Sequence, residues 1–261
     1  MEFLTARTMK SIMKTMVQGE QMTTVNTMMS LSKETLSILK NFSTLNSNIL
    51  IKTGNVISTV TPAKNIMAQA TVSEEFEQEI GIFDLSKFLG TVSLFKDPEF
   101  LFDEKFVVIQ NENGSNVKYY YTEPSLLTFT DKTINMPEVV VSFDITNSNL
   151  SELIRGASVL QLPDVSIEPS DDGLIELVAF ERPNKDFSGS AYSAGSNTYT
   201  VKIEGSHTDS SFEYHFSIDN LRLYPGDYRV SLCENVISRF DNLNTDLKYW
   251  IAFETTSRYN G

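Results

Sequence analysis

The sequence predicts an α+β fold built from two copies of one module, in which helices pack against mostly antiparallel sheets. Amphipathic helical segments begin at Ser32 and Asn149, 117 residues apart, and a glycine turn follows after 22 residues at Gly54 and after 24 at Gly173. Most of the remaining chain consists of short apolar or alternating stretches bounded by Gly, Asn, Asp or Pro, a pattern typical of strands. The equal order and spacing of these elements favour an internal repeat.

The first module opens with a helix over residues 31–45, LSKETLSILKNFSTL. Ser32 is a suitable N-cap, and apolar residues recur every three positions on one face at Leu36, Leu39, Phe42 and Leu45. This periodicity predicts a helix with one buried face and one solvent-exposed face.

Strand signals follow this helix. A turn over residues 52–55 predicts a hairpin, and two further strands, NIMAQATVS and EEFEQEIGIF, lead to a second helix, LSKFLGTVSLF, capped by Asp84. The strands FLFDEKFVVIQN and NVKYYYT are joined at 112–115 by an Asn-Gly hairpin signal. The glutamates at 74, 75, 77 and 79 are typical of an edge strand protected against mispairing.

The second module repeats this order. The strand VVVSFDIT precedes a helix, NLSELIRGASVL, and a hairpin turns around residues 171–173. A Gly/Ser-rich loop at 186–197 is additional, and Pro225 and Gly226 interrupt the second helix of this copy. Three strands, YRVSLCE, VISRF and LKYWIAFE, end the module. The apolar face of its helix is predicted to comprise Leu150, Leu153, Ile154, Ala157 and Leu160.

The amino-terminal segment differs from the rest of the chain. It holds seven of the nine methionines within 30 residues and lacks the continuous apolar core of a signal peptide. We interpret it as a poorly ordered extension or as the result of an upstream start. The predicted boundaries are 1–30 for this extension, 31–122 for the first domain, 123–138 for a proline-containing linker, 139–257 for the second domain and 258–261 for a tail.

The composition narrows the classes of function. One cysteine among 261 residues excludes a disulfide framework and a cysteine-based zinc cluster. The sequence contains no run of 18 apolar residues, so no membrane-spanning helix is predicted. His207 and His215 have no ligand partner at useful spacing, and Cys233 is predicted on an outer strand face without a nearby histidine. We therefore expect no enzyme activity, no cofactor and no metal.

Charge is distributed unevenly. The chain carries 34 acidic and 21 basic residues, a net charge of −13, which at first argues against a nucleic-acid partner. The three helical segments nevertheless hold four cations, Lys33, Lys40, Lys87 and Arg155, against two carboxylates, Glu34 and Glu152. These cations lie on the polar faces, where they are either ordinary solvated charges or part of an anion-binding surface.

Several blocks resemble the DNA polymerase sliding clamps of T-even-type bacteriophages, relatives of proliferating-cell nuclear antigen. They are LSKETLSILKNFSTLNSNILIKTGN, IGIFDLSKFLGTVSL, LRLYPGDYRVSL and the strand LKYWIAFE. The likeness extends over residues 29–257, although 110–200 match mainly in the order of elements. The amino-terminal arm, the loop at 186–197 and the tail TTSRYNG depart from the family pattern.

The resemblance implies a homotrimeric ring whose helices line a central hole and whose sheets form the outside. Duplex DNA would pass through the hole without sequence recognition, and the ring would tether the DNA polymerase after an ATP-driven clamp loader had closed it. The resemblance also implies late-transcription factors as partners, and hence a role as transcription coactivator. It further implies that the protein acts in the cytoplasm of an infected bacterial host. The candidate DNA-facing residues are Lys33, Lys40, Lys87 and Arg155, with Arg222 as a weaker candidate.

Two questions stay open at this stage. Clamp partners insert a peptide beside the interdomain linker, which here places Leu126, Leu127, Phe129, Ile134 and Met136 near a peptide pocket; the same residues could instead pin the linker to a sheet. The alternative for the whole chain is a β-rich structural protein of the phage virion.

Overall fold

A computed structural model describes residues 27–182, 196–234 and 236–260. The chain forms two compact units. The first contains the described residues up to Ser43, Ser47–Val56 and Val72–Thr128, and the second contains Thr44–Asn46, Ile57–Thr71 and the chain from Phe129 onward. Both units combine helix with antiparallel sheet, so the predicted α+β class is confirmed.

The described part of the first half, from residue 27 onward, has ten elements in the order strand, helix, four strands, helix, three strands. Their bounds are β1 Thr27–Met29, α1 Lys33–Leu45, β2 Ile49–Ile51, β3 Gly54–Val60, β4 Ile66–Phe76, β5 Ile80–Ile82, α2 Leu85–Val92, β6 Glu99–Phe102, β7 Phe106–Gln110 and β8 Asn116–Tyr120. A 3-10 turn at Pro124–Leu126 follows. Residues 127–138 contain neither helix nor strand.

The second half repeats that order, with a 3-10 turn at Ile218–Leu221 in place of the second helix and a further strand at its end. Its other elements are β9 Val139–Ile145, α3 Asn147–Leu160, β10 Asp164–Pro169, β11 Leu174–Phe180, β12 Thr198–His207, β13 Ser211–Ser217, β14 Tyr228–Cys233, β15 Ile237–Asn242, β16 Leu247–Ala252 and β17 Arg258–Asn260. The repeated order confirms the two-copy architecture predicted from the sequence.

The strands form four sheets. Their orders are β1-β6-β7-β8, β3-β4-β16-β15-β14-β9, β12-β11-β10-β13-β17 and β2-β5. The pairings for which the register is defined are antiparallel. The core side chains come from the inward faces of these strands and from the apolar faces of the helices, among them Phe42, Phe100, Phe180, Phe216 and Tyr249.

Helix positions agree with the sequence prediction to within a few residues. Ser32 Oγ accepts a hydrogen bond from the Thr35 amide at 3.1 Å, and Asp84 Oδ1 accepts one from the Lys87 amide at 2.8 Å. α3 begins two residues before the predicted Asn149, because Thr146 caps it and forms a reciprocal capping box with Asn149. Local side-chain chemistry thus sets where each of the three α-helices begins.

Strand pairing differs from the prediction in the first half. The turn at 52–55 does not join a hairpin, since β2 pairs with β5 and β3 is the neighbour of β4. β4 continues through Glu74 and Glu75; its pairing with β16 covers residues 66–70 and does not reach the glutamates. The predicted strand 100–111 is a hairpin of β6 and β7 around residues 103–105. These pairings depend on distant partners that a local pattern does not contain.

Three burial predictions were wrong. Cys233 is fully buried instead of facing outward. Ile154 and Leu160, predicted on the buried face of α3, are each 38% exposed, because the contact face of this helix is narrower and includes Gly156.

Two segments with predictions lie partly outside the described residues. Residues 27–29 of the predicted extension form β1, which pairs with β6, whereas residues 1–26 lie outside. Most of the loop at 186–197 lies outside as well. None of the described helices is long and apolar enough to span a membrane.

Candidate nucleic-acid interface

α1 presents two lysines to solvent. Lys33 and Lys40 are exposed and lie seven positions apart, two helical turns along the same side, while Ile38, Leu39 and Phe42 are fully buried. The buried residues hold the helix on its unit, so the lysines are displayed on a fixed support. In the described structure neither lysine forms an ion pair.

The amino end of α1 is fixed by a buried carboxylate that sequence reasoning assigned to an edge strand. Glu74 is 7% exposed, accepts a hydrogen bond from the hydroxyl of Thr35 at 2.5 Å, and accepts another from the Ser32 amide. Burial alone would raise the pKa of Glu74, but these hydrogen bonds outweigh it and hold that pKa below its usual value. A carboxylate at a helix amino terminus also interacts favourably with the helix dipole.

α2 carries the third lysine. Lys87 is exposed in the first turn, where its amide is bound by the capping carboxylate of Asp84, and Leu85, Phe88 and Val92 form the buried face. Phe88 packs edge-on against Tyr119 of β8, with ring centroids 5.2 Å apart. The side chain of Lys87 is thereby held on the polar face, as the sequence predicted.

α3 carries Arg155 on its exposed face, while Leu150, Leu153 and Ala157 are buried. The helix packs on β12, where the hydroxyl of Tyr199 donates a hydrogen bond to Glu152 Oε1 at 3.0 Å. Sequence reasoning did not find Tyr199, because it lies 47 residues from Glu152 and no motif links the two.

Arg155 differs from the other arginines of the described chain. Arg155 forms no ion pair within the ranges 27–182, 196–234 and 236–260, whereas every other described arginine lies within 4 Å of a carboxylate. Those pairs are Arg182 with Asp164, Arg222 with Asp219, Arg229 with Asp144, Arg239 with Asp241 and Arg258 with Glu213. In a chain of net charge −13, an arginine without a partner carboxylate is available for an external anion.

Arg222, the weaker candidate, lies outside the helices. It follows the 3-10 turn at Ile218–Leu221, and its guanidinium is 2.5 Å from the carboxylate of Asp219. Any binding of phosphate by Arg222 has to compete with this pair.

The linker residues fall into two groups by exposure. Leu126 is 65% exposed, whereas Leu127, Phe129, Ile134 and Met136 are half-buried. Within the first unit, the segment that leads to Leu127 lies along β5, where the Thr122 amide donates to the carbonyl of Gly81 at 2.9 Å. Leu126 is therefore the most accessible apolar side chain of the predicted peptide pocket.

Both ring nitrogens of His215 lie within hydrogen-bond distance of neighbouring side chains, which indicates a structural role. Its Nδ1 lies 2.7 Å from the hydroxyl of Thr256, and its Nε2 lies 2.9 Å from Glu213 Oε1. Glu213 also forms an ion pair with Arg258 of β17. The pKa of Glu213 is lowered, and the hydrogen bond to His215 is the main cause. These contacts attach the carboxyl-terminal strand to β13. No group of three or more His, Cys, Asp or Glu in the described ranges could hold a metal ion.

Comparison with known proteins supports the sequence resemblance. Residues 32–120 match a family described as DNA polymerase processivity factor, and residues 142–255 match the gp45 sliding clamp, C terminal. The sliding clamp of Vibrio phage KVP40 is 28% identical over 230 residues, covering 87% of this chain and 99% of the relative. That of Escherichia phage RB69 is 29% identical over 236 residues, covering 89% and 100%.

A solved structure shows the same fold at lower identity. PCNA of A. fulgidus, bound to the C-terminal region of FEN-1, superimposes with a TM-score of 0.62 at 14% identity and covers 90% of this chain and 97% of its own. Two successive helix-and-sheet modules with this order of elements are the fold of the DNA clamps.

Within that class, the chain belongs to the family of phage DNA polymerase sliding clamps, the T-even-type processivity factors. This decides between the sliding clamp and the virion protein that the sequence left open.

Proposed function

We propose that three copies of this chain close into a ring around duplex DNA and tether the replicative DNA polymerase in the cytoplasm of the infected bacterial host. The observation that carries the proposal is Arg155, which forms no ion pair in the part of the chain that the structure describes, together with Lys33, Lys40 and Lys87, on the exposed faces of helices in an acidic chain. The three helices hold these four cations and two carboxylates, so their net charge is +2 against −13 for the whole chain.

The proposed contacts are to DNA phosphates. Lysine and arginine side chains that reach phosphates read no base sequence, which suits a protein that has to slide. The acidic remainder of the chain repels duplex DNA from other surfaces and so favours the cationic helix faces. Arg222 makes at most a minor contribution, because Asp219 competes for its guanidinium.

The proposed ring closes through the sheet edges. β8 ends the four-stranded sheet and β12 ends the five-stranded sheet, so among the described residues each of these strands has one side without a partner strand. The opposite edges of these sheets are occupied by the three-residue strands β1 and β17. Pairing β8 of one subunit with β12 of the next satisfies both open edges, and such a head-to-tail contact closes by rotation into a ring.

The proposed mechanism is topological and requires no catalytic residue. A ring that cannot leave the duplex keeps a bound polymerase at a high effective concentration near the primer end. An ATP-driven clamp loader is needed to open and close such a ring on DNA.

Polymerase, clamp loader and late-transcription factors are proposed to dock peptides beside the linker. The exposed Leu126 and the half-buried Leu127, Phe129, Ile134 and Met136 offer apolar contacts there. The bound C-terminal region of FEN-1 on PCNA of A. fulgidus supports this mode of binding in a protein of the same fold.

Native mass measurement and a primer-extension assay test the function together. We expect a species of three times the 29.4 kDa chain mass, and longer products from the cognate polymerase when the clamp and its loader are present. A chain that stays monomeric at high micromolar concentration and leaves product length unchanged would refute the proposal.

A further inference from the structure

Glu152 and Arg155 lie three positions apart on α3, a spacing at which opposite charges normally meet on a helix surface. They form no ion pair in the structure, although five other described arginines each have a carboxylate partner. The Glu152 carboxylate instead has a partner on another element. The residue in contact with that carboxylate is Tyr199 of β12, whose hydroxyl donates to Glu152 Oε1 at 3.0 Å.

The position of Tyr199 depends on Gly156. A Cβ atom added at Gly156 would lie 2.4 to 2.6 Å from the Cδ1, Cγ and Cε1 atoms of the Tyr199 ring, so the ring would have to move to make room for it. The ring thus lies directly against the helix backbone, one residue beyond Arg155. This close approach brings the phenol hydroxyl within reach of Glu152.

We propose that Tyr199 is a positioning residue for DNA binding: it holds the Glu152 carboxylate by a hydrogen bond, so that the guanidinium of Arg155 stays available for a backbone phosphate. The inference rests on the proposed function and adds to it a residue outside the helices. Without the phenol hydroxyl, rotation of the Glu152 side chain toward Arg155 would form the usual surface pair and reduce the charge offered to DNA.

The electrostatics agree with this geometry. The hydrogen bond to Glu152 is the main cause of a raised pKa for Tyr199, and the nearby positive charge of Arg155 opposes that rise. A tyrosine hydroxyl is protonated at neutral pH, so the donor is present under the conditions in which DNA is bound.

The Tyr199→Phe variant tests the inference, because it keeps the ring against Gly156 and removes only the donor. Binding to a short fluorescent duplex is measured by anisotropy at low salt for the intact clamp. We expect affinity to fall about two-fold, the size of effect that a surface pair at this spacing produces. Adding Glu152→Gln to Tyr199→Phe should restore the affinity, and Tyr199→Phe should have no effect in an Arg155→Gln background.

The outcomes separate the two proposals. The DNA-facing role of Arg155 fails if the unaltered clamp does not bind duplex DNA. It also fails if the Arg155→Gln variant binds duplex DNA as tightly as the unaltered clamp. If Arg155→Gln weakens binding but Tyr199→Phe does not, only the positioning role fails. A loss in Tyr199→Phe that Glu152→Gln does not restore would mean that Tyr199 acts through packing, which also overturns the inference.

Discussion

At the scale of single residues, Glu74 shows how a charge can stabilise a fold from inside it. The carboxylate is buried, yet it accepts hydrogen bonds from Ser32 and Thr35 at the amino end of α1. The alternation of glutamates in this region suggested surface charges, and for the exposed Glu75 and Glu77 the suggestion holds. Glu74 differs because its side chain contacts the amino end of α1, and the sequence around position 74 does not indicate this contact.

Glu74→Gln should destabilise the clamp by about 1 to 3 kcal/mol, because the neutral amide has one acceptor oxygen where the carboxylate has two, and Ser32 and Thr35 no longer donate to a charged group. Chemical denaturation at fixed protein concentration, followed by circular dichroism, measures this difference. Glu75→Gln, one residue away and exposed, is the matched control and should change the free energy of unfolding little.

We expect the loss of stability caused by Glu74→Gln to depend on pH. The pKa of Glu74 is lowered in the folded state, so its contribution to stability is complete above the pKa of the unfolded chain, about 4.3, and is lost as pH falls through the folded value. The difference between Glu74→Gln and the unaltered clamp should therefore shrink below pH 4. A difference of constant size from pH 7 to pH 3 would show that ionised Glu74 is not the stabilising form.

At the scale of elements, Gly81 of β5 lies in close contact with the segment that leads into the linker. A Cβ atom at Gly81 would lie 2.1 Å from the carbonyl oxygen of Thr122 and 3.0 Å from Leu127 Cδ1. The neighbouring atom is backbone and cannot rotate away. Only glycine permits the hydrogen bond between the Thr122 amide and the Gly81 carbonyl at this separation.

Gly81→Ala should destabilise the clamp by roughly 1 to 3 kcal/mol, the usual cost of overpacking, and should accelerate amide exchange at Thr122. Gly90→Ala is the matched control. Gly90 is exposed within α2 and an added Cβ meets nothing within 4 Å, so alanine there should stabilise the helix by up to about 1 kcal/mol. Equal destabilisation by both variants, or a stabilised Gly81→Ala, would contradict the described packing.

Local signals determined which elements could be predicted. Ser32 and Asp84 cap helices within a turn of sequence, and the Asn-Gly and Asp-Gly pairs at 113–114 and 172–173 lie in the turns of the β7–β8 and β10–β11 hairpins, so these elements were found. The glycine turn at 52–55 gave an equally clear signal and the wrong partner, because β2 instead pairs with β5, some 30 residues away. Partner choice depends on tertiary burial, which a local pattern cannot express.

The residues of the candidate site were likewise predicted only where a local pattern indicates them. Lys33, Lys40, Lys87 and Arg155 were placed on exposed helix faces by periodicity alone, and the structure exposes all four. Tyr199 and Gly156 could not be found in this way, since their contact joins β12 to α3 through space. Their importance appears only when the absence of a Glu152–Arg155 pair in the described structure is noticed.

At the scale of the whole molecule, the net charge of −13 averages surfaces with different proposed roles. Lys40→Glu combined with Lys87→Glu should reduce duplex binding and processivity, because two side chains proposed to bind phosphates become repulsive. The slope of log affinity against log salt should become shallower by about one unit for each phosphate that the variant no longer neutralises. Anisotropy with a short duplex between 50 and 200 mM salt, a range chosen from the general behaviour of such interactions, measures both quantities.

The control must change the total charge equally. Lys64→Glu combined with Lys105→Glu also replaces two exposed lysines, but Lys64 lies in the turn between β3 and β4 and Lys105 in the turn between β6 and β7. If placement matters, this variant should keep nearly the affinity and salt slope of the unaltered clamp. Equal losses in both variants would mean that DNA responds to the total charge of the ring, and the helix faces would lose their proposed role. A loss confined to the helix variant would assign the phosphates to α1 and α2, because only position distinguishes the two proteins.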